Sequence, residues 1–180
     1  MRLPCDWICS GQSNMALEMH EVYDGATELA KADDAQLRLF RPTKSHSFTP
    51  QTDLPGKWYV SSPSSAWAFS ATGYFFAREL RAKLNRPIGM ISISWGGTPA
   101  QAWTSLEALQ SNPALQPYVD TYEKAKANFP AANQPNPPYP KPGASPPNKP
   151  AEPDGGPRVS SVLFNALVAP LIPYAIKGVI

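Results

Sequence analysis

Residues 70–94 have the sequence SATGYFFARELRAKLNRPIGMISIS, and no other stretch says as much about the fold class. At its start, Phe76, Leu80 and Leu84 recur at the i, i+4, i+8 spacing of one helical face, which predicts a helix. Residues 88–94 follow at once and are almost continuously apolar, which predicts a strand covered on both faces. A helix that passes directly into such a strand is typical of α/β proteins.

The same alternation continues outward in both directions. The predicted elements are strands at residues 7–9, 37–40, 88–94 and 177–180 and helices at residues 25–33, 70–84, 105–110, 115–129 and 160–168. Residues 43–65 contain several Pro, Gly, Ser and Thr and are predicted to form a loop. Alternating strands and helices predict an α/β fold with a mainly parallel sheet. Because domains average about 150 residues, we expect one domain over residues 1–180.

The proline content marks one segment as different. Eleven of the 22 prolines fall within residues 130–157, which contain few large apolar side chains. We interpret this segment as an extended surface insertion. An alternative is a protein-interaction module that displays it as a proline-rich ligand. The hydrophobic content of 42% and aromatic content of 11% are those of a globular chain rather than a disordered one.

The charge and the apolar runs exclude two classes of partner. A net charge of +2, from 16 basic and 14 acidic residues, is too balanced for a dedicated nucleic-acid-binding protein. The most apolar run, residues 162–176, is interrupted by Asn165, Pro170 and Pro173 and is shorter than the ~20 residues of a membrane-spanning helix. We therefore expect neither a nucleic acid nor a membrane as partner.

The two cysteines are predicted to be core thiols. Cys5 and Cys9 lie four positions apart, which on a strand separates them by about 13 Å, too far for a disulfide. The two cysteines carry no information about the cellular compartment of the protein, and no apolar signal segment is recognisable at the start of the given sequence. The location does not follow from the sequence, although for the full-length protein a secreted or periplasmic one is expected.

A first candidate for chemistry follows the first predicted strand. Residues 10–15 have the sequence SGQSNM, so Ser13 lies just beyond the carboxyl end of a buried strand, where α/β sheets bind ligands. If a helix begins at Asn14, the backbone amide of Ser13 points outward and can donate to an oxyanion. Two interpretations stay open: Ser13 is a nucleophile, or it only caps a helix.

A second candidate follows residues 88–94. The sequence WGGTPAQAW begins at Trp95 and ends at Trp103, and its paired glycines, Gly96 and Gly97, let backbone amides approach a ligand closely. If the two strands are neighbours, this loop lies beside Ser13 and offers a second oxyanion donor. The tryptophans either stack on sugar rings or pack in the core.

The chain has two histidines, His20 and His46. A serine nucleophile needs a base within about 3 Å, and spacing excludes neither histidine from that role. Residues 18–24 contain two glutamates, a histidine and an aspartate but do not match the HExxH pattern, so no metal site is predicted.

Together these segments resemble the sialate O-acetylesterase family within the SGNH hydrolase superfamily. Residues 9–15 are similar to its first conserved block, residues 91–103 to its second, and residues 162–180 to the approach to its third. The resemblance implies a flavodoxin-like, three-layer α/β sandwich. It also implies hydrolysis of acetyl esters on carbohydrates through an acyl-enzyme, with no metal or organic cofactor and an acetylated carbohydrate as partner.

The resemblance also assigns roles to residues. Ser13 would be the nucleophile, and its amide would form the oxyanion hole with that of Gly97 or, alternatively, Gly96. The candidate substrate-binding residues are Gln12, Asn14, Trp95 and Trp103. The chain ends at Ile180, before the family's asparagine and Asp–His segments, so we expect an N-terminal part of an SGNH domain that needs a histidine from outside these residues.

A non-catalytic carbohydrate-binding module or a degenerate hydrolase is the alternative function. In that interpretation Trp95 and Trp103 serve as stacking platforms for sugars. The sequence does not specify the acetylated sugar or the oligomeric state.

Overall fold

The computed structural model of the protein describes residues 5–128 and 156–180. Within these ranges the strands are β1 (Cys5–Cys9), β2 (Asp34–Pro42), β3 (Gly56–Ser61), β4 (Ile88–Ser92) and β5 (Gly178–Val179). The α-helices of the same ranges are α1 (Ser13–Ala16), α2 (Gly25–Leu29), α3 (Pro63–Ala66), α4 (Ala71–Leu84), α5 (Leu106–Gln110) and α6 (Gln116–Asn128). Except for its last two residues, the predicted insertion at 130–157 lies outside the described residues.

The strands form a five-stranded sheet in the order β3-β2-β4-β1-β5. β1 is parallel to β4 and to β5, β2 is parallel to β4, and β3 alone among these pairs is antiparallel to its neighbour, β2. The central strands β1 and β4 are buried along nearly their whole length, as the apolar runs at residues 7–9 and 88–94 predict. The predicted α/β class with a mainly parallel sheet is confirmed.

Helix α4 confirms the prediction made for residues 70–84. Its N-cap is Ser70, whose side-chain oxygen accepts a hydrogen bond from the amide of Gly73 at 3.1 Å. The helix ends at Asn85, which adopts the left-handed conformation with φ of 44° that commonly terminates helices. Phe76 packs edge-on against Trp7 of β1, with 5.0 Å between ring centroids. The helix therefore covers one face of the sheet.

The prediction of a loop over residues 43–65 is wrong in part. β3 and α3 both lie within it. Trp58, Tyr59 and Val60 are residue types that favour strands, but prolines and serines on both sides obscured the short run. Ser62 caps α3 by accepting from the amide of Ser65 at 3.2 Å, and Pro63 occupies the first helical turn.

The other predicted elements are present with shifted ends. β1 and β2 are longer than predicted and α2 is shorter, whereas α5 and α6 begin within one residue of the predicted positions. In the predicted helix at residues 160–168, Phe164–Val168 is a π-helical segment. Cys5 and Cys9 are both buried and free, as predicted. Of the helices in the described ranges, none combines the length and the apolar character needed to cross a membrane.

The chain divides into two compact units. The first, Met1–Pro42 with Pro55–Gly97 and Ala175–Ile180, contains the sheet and helices α1 to α4. The second, Thr43–Leu54 with Thr98–Tyr174, contains α5 and α6. The core of the first unit includes Cys9, Met19, Leu37, Leu39, Phe69 and Met90. In the second, the buried Tyr122 packs on Phe48 and donates its hydroxyl to the Phe48 carbonyl oxygen. That the chain forms a single domain stays a prediction.

Candidate active site

The turns that follow β1 and β4 lie side by side. The two strands pair in parallel with Cys9 opposite Ser92, so both chains leave the sheet at the same edge. Backbone hydrogen bonds continue past the strand ends: the amide of Ile93 donates to the carbonyl of Cys9 at 3.0 Å. The amide of Trp95 then donates to the carbonyl of Gly11, also at 3.0 Å. The predicted proximity of the two motifs therefore follows from the parallel pairing.

Ser13 is exposed at the first position of α1. Gly11 permits the sharp turn before it, with φ of 149°, and a Cβ at Gly11 would lie 3.2 Å from Cβ of Met15. The N-cap of α1 is Gln12. The interpretation of Ser13 as a helix cap is therefore wrong, and its side chain is not used to start the helix.

Three side chains anchor the short helix α1 to its surroundings. Ser94, just beyond β4, donates its hydroxyl to the carbonyl of Met15 at 3.3 Å. Thr72 of α4 donates to the carbonyl of Asn14 at 3.3 Å, and the Ser70 hydroxyl contacts the Met15 sulfur at 3.4 Å. Of these side chains, those of Ser94 and Thr72 were not predicted from the sequence to have a role. Since the partners of those two are backbone carbonyls, no sequence pattern marks these contacts.

The amide and the hydroxyl of Ser13 share one acceptor. The backbone N–H donates to Oε1 of Gln12 at 3.1 Å, and the Oγ–H donates to the same oxygen at 2.7 Å. Because α1 has only four residues, its macrodipole is small and the individual N–H groups at its start matter more. The predicted substrate-binding role of Gln12 stays a prediction.

Gly96 lies directly against Ser13. An ideal Cβ built on Gly96 would lie 3.5 Å from Cα of Ser13 and 3.9 Å from both its Cβ and its amide nitrogen. Gly97 has φ of 75°, in the region that favours glycine. The paired glycines are therefore found where the sequence predicted them. Their roles as oxyanion donors, like the nucleophilic role of Ser13, stay predictions.

The candidate substrate-binding residues differ in their surroundings. Asn14 is exposed next to Ser13, and Trp95 is partly buried with its backbone tied to Gly11. Trp103 belongs to the second compact unit, where its indole N–H donates to the hydroxyl of the buried Thr98 at 2.9 Å. This bond satisfies the polar group of the indole, while the partly exposed ring keeps apolar surface for contact.

His20 is engaged with the turn before α4. Its ring stacks on the indole of Trp67, with 3.7 Å between centroids and 4° between planes. Its Nδ1 lies 3.2 Å from the carbonyl oxygen of Trp67 and 3.4 Å from Oε2 of Glu18. His46 belongs to the second compact unit. The structure therefore brings Ser13 together with Gln12 and Gly96, and gives His20 other contacts.

The titratable group closest in sequence to the turn is Cys9, the last residue of β1. Burial raises the pKa of its thiol to about 11, so the thiol is neutral at physiological pH. Within the described ranges, no group of three or more His, Cys, Asp or Glu side chains is arranged to hold a metal ion. The polar groups of the described residues at the two turns include the Ser13 hydroxyl, the side-chain amides of Gln12 and Asn14, and backbone amides.

The sequence and the fold are similar to those of carbohydrate esterases. Residues 6–132 match the model of a family described as carbohydrate esterase, sialic acid-specific acetylesterase. The chain is 31% identical to the sialate O-acetylesterase of Rattus norvegicus, over 97% of this chain and 33% of that protein. It is 29% identical to the sialate O-acetylesterase of Homo sapiens, over 97% of this chain and 29% of that protein.

One solved structure extends this similarity to three dimensions. It is the crystal structure of a carbohydrate acetylesterase from Xanthomonas citri, with a TM-score of 0.70 and 31% sequence identity. The match covers 97% of this chain and 31% of that chain. The chain thus spans about a third of the length of the relatives it matches.

Proposed function

The chain belongs to the sialic acid-specific acetylesterase family of carbohydrate esterases, and from this we propose that the full-length protein hydrolyses O-acetyl esters on sugars. The observation that carries the proposal is the exposed Ser13 at the carboxyl end of a central parallel strand, with Gly96 of the neighbouring turn against it. A hydroxyl beside closely approaching backbone amides is the arrangement that acyl transfer requires.

In the proposed reaction, Oγ of Ser13 attacks the acetyl carbonyl carbon and its proton passes to a general base. The carbonyl oxygen becomes an oxyanion, which accepts hydrogen bonds from the amide of Ser13 and that of Gly97 or Gly96. Collapse of this intermediate breaks the bond to the sugar oxygen, which leaves with a proton from the base. Water then hydrolyses the acetyl-serine and restores the enzyme.

We place the general base outside residues 1–180, on a histidine of the longer protein. The contacts of His20 support this assignment, because its ring is stacked on Trp67 and its Nδ1 faces Glu18 and a carbonyl oxygen. A base must reach the Ser13 hydroxyl within about 3 Å at the moment of transfer. The stacked arrangement would have to break before His20 could do so.

The substrate class we propose is an acetylated sugar, with sialic acid the first to be tested. Asn14 and Trp95 flank the two turns and are the nearest candidates for contact with the sugar. Trp103 offers a partly exposed indole whose N–H is already satisfied, which suits stacking on the apolar face of a sugar ring.

The test is Ser13→Ala in the full-length protein, assayed on O-acetylated sialic acid and on p-nitrophenyl acetate. We expect kcat/KM to fall more than about a thousandfold, because loss of a serine nucleophile leaves only oxyanion and binding contributions. The matched control is Ser111→Ala, an exposed serine at the end of α5, which should keep full activity.

A second readout identifies the acyl-enzyme directly. A fluorophosphonate should add its phosphonyl group to the peptide that contains Ser13, and Ser13→Ala should abolish the mass increase. Hydrolysis that survives Ser13→Ala within a factor of ten would refute the assignment of the nucleophile. Sugar binding without any hydrolysis by the wild-type protein would favour a carbohydrate-binding module instead.

A further inference from the structure

Gln12 contacts the two groups of Ser13 that the proposed reaction needs. Its Oε1 accepts the backbone N–H at 3.1 Å and the hydroxyl proton at 2.7 Å. The first group is the proposed oxyanion donor, and the second is the proton that the base must remove. A single carbonyl oxygen therefore accepts hydrogen bonds from both groups.

The oxygen of Gln12 is the same kind of acceptor, a carbonyl oxygen, as the ligand atom it would compete with. It is a neutral amide carbonyl oxygen, and an acetyl ester offers a neutral carbonyl oxygen to the same N–H. An oxyanion donor works when it lies 2.7–3.1 Å from the developing charge. A backbone N–H has one hydrogen and makes one strong bond, so Gln12 and the substrate cannot both occupy it fully.

The same contact also affects the nucleophile. A glutamine side-chain oxygen only accepts, so the Ser13 hydroxyl must be the donor in the 2.7 Å contact. Its single proton then points at Gln12 and is not available to a base. Both contacts hold back the proposed reaction, because the Ser13 amide and the Ser13 hydroxyl proton must each be released from Gln12 before Oγ can attack.

We propose that Gln12 holds Ser13 in a resting arrangement, and that the ester carbonyl displaces the Gln12 oxygen when the substrate binds. This inference rests on the proposed function, since it assigns a regulatory contact to the same site. Gln12 is exposed, so its side chain can exchange its two hydrogen bonds to Ser13 for hydrogen bonds to water. Displacement of the Gln12 oxygen then leaves the Ser13 amide and hydroxyl to the substrate.

This role and a substrate-binding role for Gln12 predict opposite changes in KM. If Gln12 competes with the substrate, removing its side chain lowers KM. If Gln12 binds the sugar, the same change raises KM. The sign of one measured quantity thus separates the two.

The test uses Gln12→Ala and Gln12→Glu in the full-length protein. For Gln12→Ala we expect KM to fall about fivefold with kcat unchanged, because a typical net hydrogen bond changes an equilibrium by roughly that factor. The rate of fluorophosphonate labelling at Ser13 should rise by a similar factor. Hydrogen exchange of the Ser13 amide should also become severalfold faster, a change that does not depend on turnover.

Gln12→Glu keeps the shape of the side chain and strengthens the contact. A carboxylate is a better acceptor for both protons and repels the oxyanion, so we expect kcat/KM at pH 7 to fall more than about tenfold. This inhibition should weaken as the pH approaches about 4, where a glutamate becomes protonated. Gln110→Ala, a change at an exposed glutamine at the end of α5, should leave KM and labelling unaffected.

Three results would overturn the proposal. They are a higher KM in Gln12→Ala, an unchanged KM with unchanged labelling, and a full rate in Gln12→Glu at pH 7. If Ser13→Ala abolishes hydrolysis and one of these is seen, only the Gln12 proposal fails. If hydrolysis survives Ser13→Ala, the proposed function fails and the Gln12 proposal falls with it.

Discussion

The turn after β1 and the turn after β4 start from equivalent positions on neighbouring parallel strands but present different chemistry. The first places a side chain, that of Ser13, at the start of a short helix. The second presents backbone, because Gly96 and Gly97 have no side chains and the helical segment Ala100–Trp103 begins only later. Cys9 and Ser92, the last residues of the two strands, are directly opposite each other in register.

The two turns are also stabilised in different ways. The turn after β1 is fixed from outside, by the hydroxyls of Ser94 and Thr72 on the carbonyls of Met15 and Asn14. The turn after β4 depends on the absence of side chains, since Gly97 adopts a positive φ and Gly96 lies against Ser13. A reactive side chain needs anchors, whereas a backbone that must approach another group closely needs empty space. The two turns should therefore respond differently to mutation.

Among the changes that test this comparison of the two turns, Gly96→Ala should have the largest effect, because its methyl group fills that space. The new methyl would meet Cα of Ser13 at 3.5 Å, an ordinary van der Waals distance, so stability should change by less than about 0.5 kcal/mol. The methyl would also lie 3.9 Å from the Ser13 amide nitrogen, next to the proposed position of the oxyanion. We expect kcat/KM to fall about a hundredfold, as for loss of one oxyanion donor. Ester hydrolysis measures kcat/KM and urea unfolding measures the stability of the same variant. Unchanged hydrolysis would contradict the assignment of the oxyanion position beside Gly96.

The adjacency of these turns could be predicted from the sequence, but their detailed contacts could not. β1, β4 and α4 have strong local patterns, and the parallel pairing of β1 with β4 then brings Ser13 and Gly96 together. The contact of Gln12 with Ser13 depends on a side-chain conformation that no spacing encodes. The local sequence therefore predicts where a strand ends better than it predicts the conformation of the side chains that follow the strand.

The missed strand β3 illustrates the same limit at the sheet edge. Its six residues are flanked by Pro55 and Ser62, and among the described strands it pairs with β2 alone. Such pairing is non-local, so a short edge strand has a weaker sequence signal than a central one. Trp58, which is 39% exposed, and Val60, which is 48% exposed, do not show the burial that makes central strands easy to recognise.

Gly97→Ala should break the second turn by a different route from Gly96→Ala. At φ of 75° an alanine side chain is crowded by its own backbone, which destabilises the fold by about 1–2 kcal/mol. Gly97→Asn should lose less stability than Gly97→Ala, because asparagine tolerates the left-handed region better than alanine does. Urea unfolding of the full-length protein compares the two variants. Equal stability of Gly97→Ala and the wild-type protein would mean that this turn does not hold the positive φ in solution.

The smallest effect is expected from the strand ends beneath the turns, and it depends on pH. β1 ends in the buried thiol of Cys9, while β4 ends in Ser92, whose hydroxyl does not titrate. Burial raises the pKa of the thiol from 9.0 to about 11, so the folded state disfavours the thiolate. This contribution to stability is complete below pH 9 and is lost as the pH rises from 9 through 11.

Between pH 8 and pH 10, this difference in pKa should lower the free energy of unfolding by about 1 kcal/mol. Cys9→Ala removes the titrating group, so its stability should fall less over the same interval, although it starts lower because of the small cavity. Burial also raises the pKa of Tyr74 and Tyr122, but both tyrosines remain in the variant and cancel in the comparison. Urea unfolding of both proteins at pH 8 and pH 10 measures the difference. Parallel losses in the two proteins would show that Cys9 titrates normally, and hence that the end of β1 beneath the Ser13 turn is open to water.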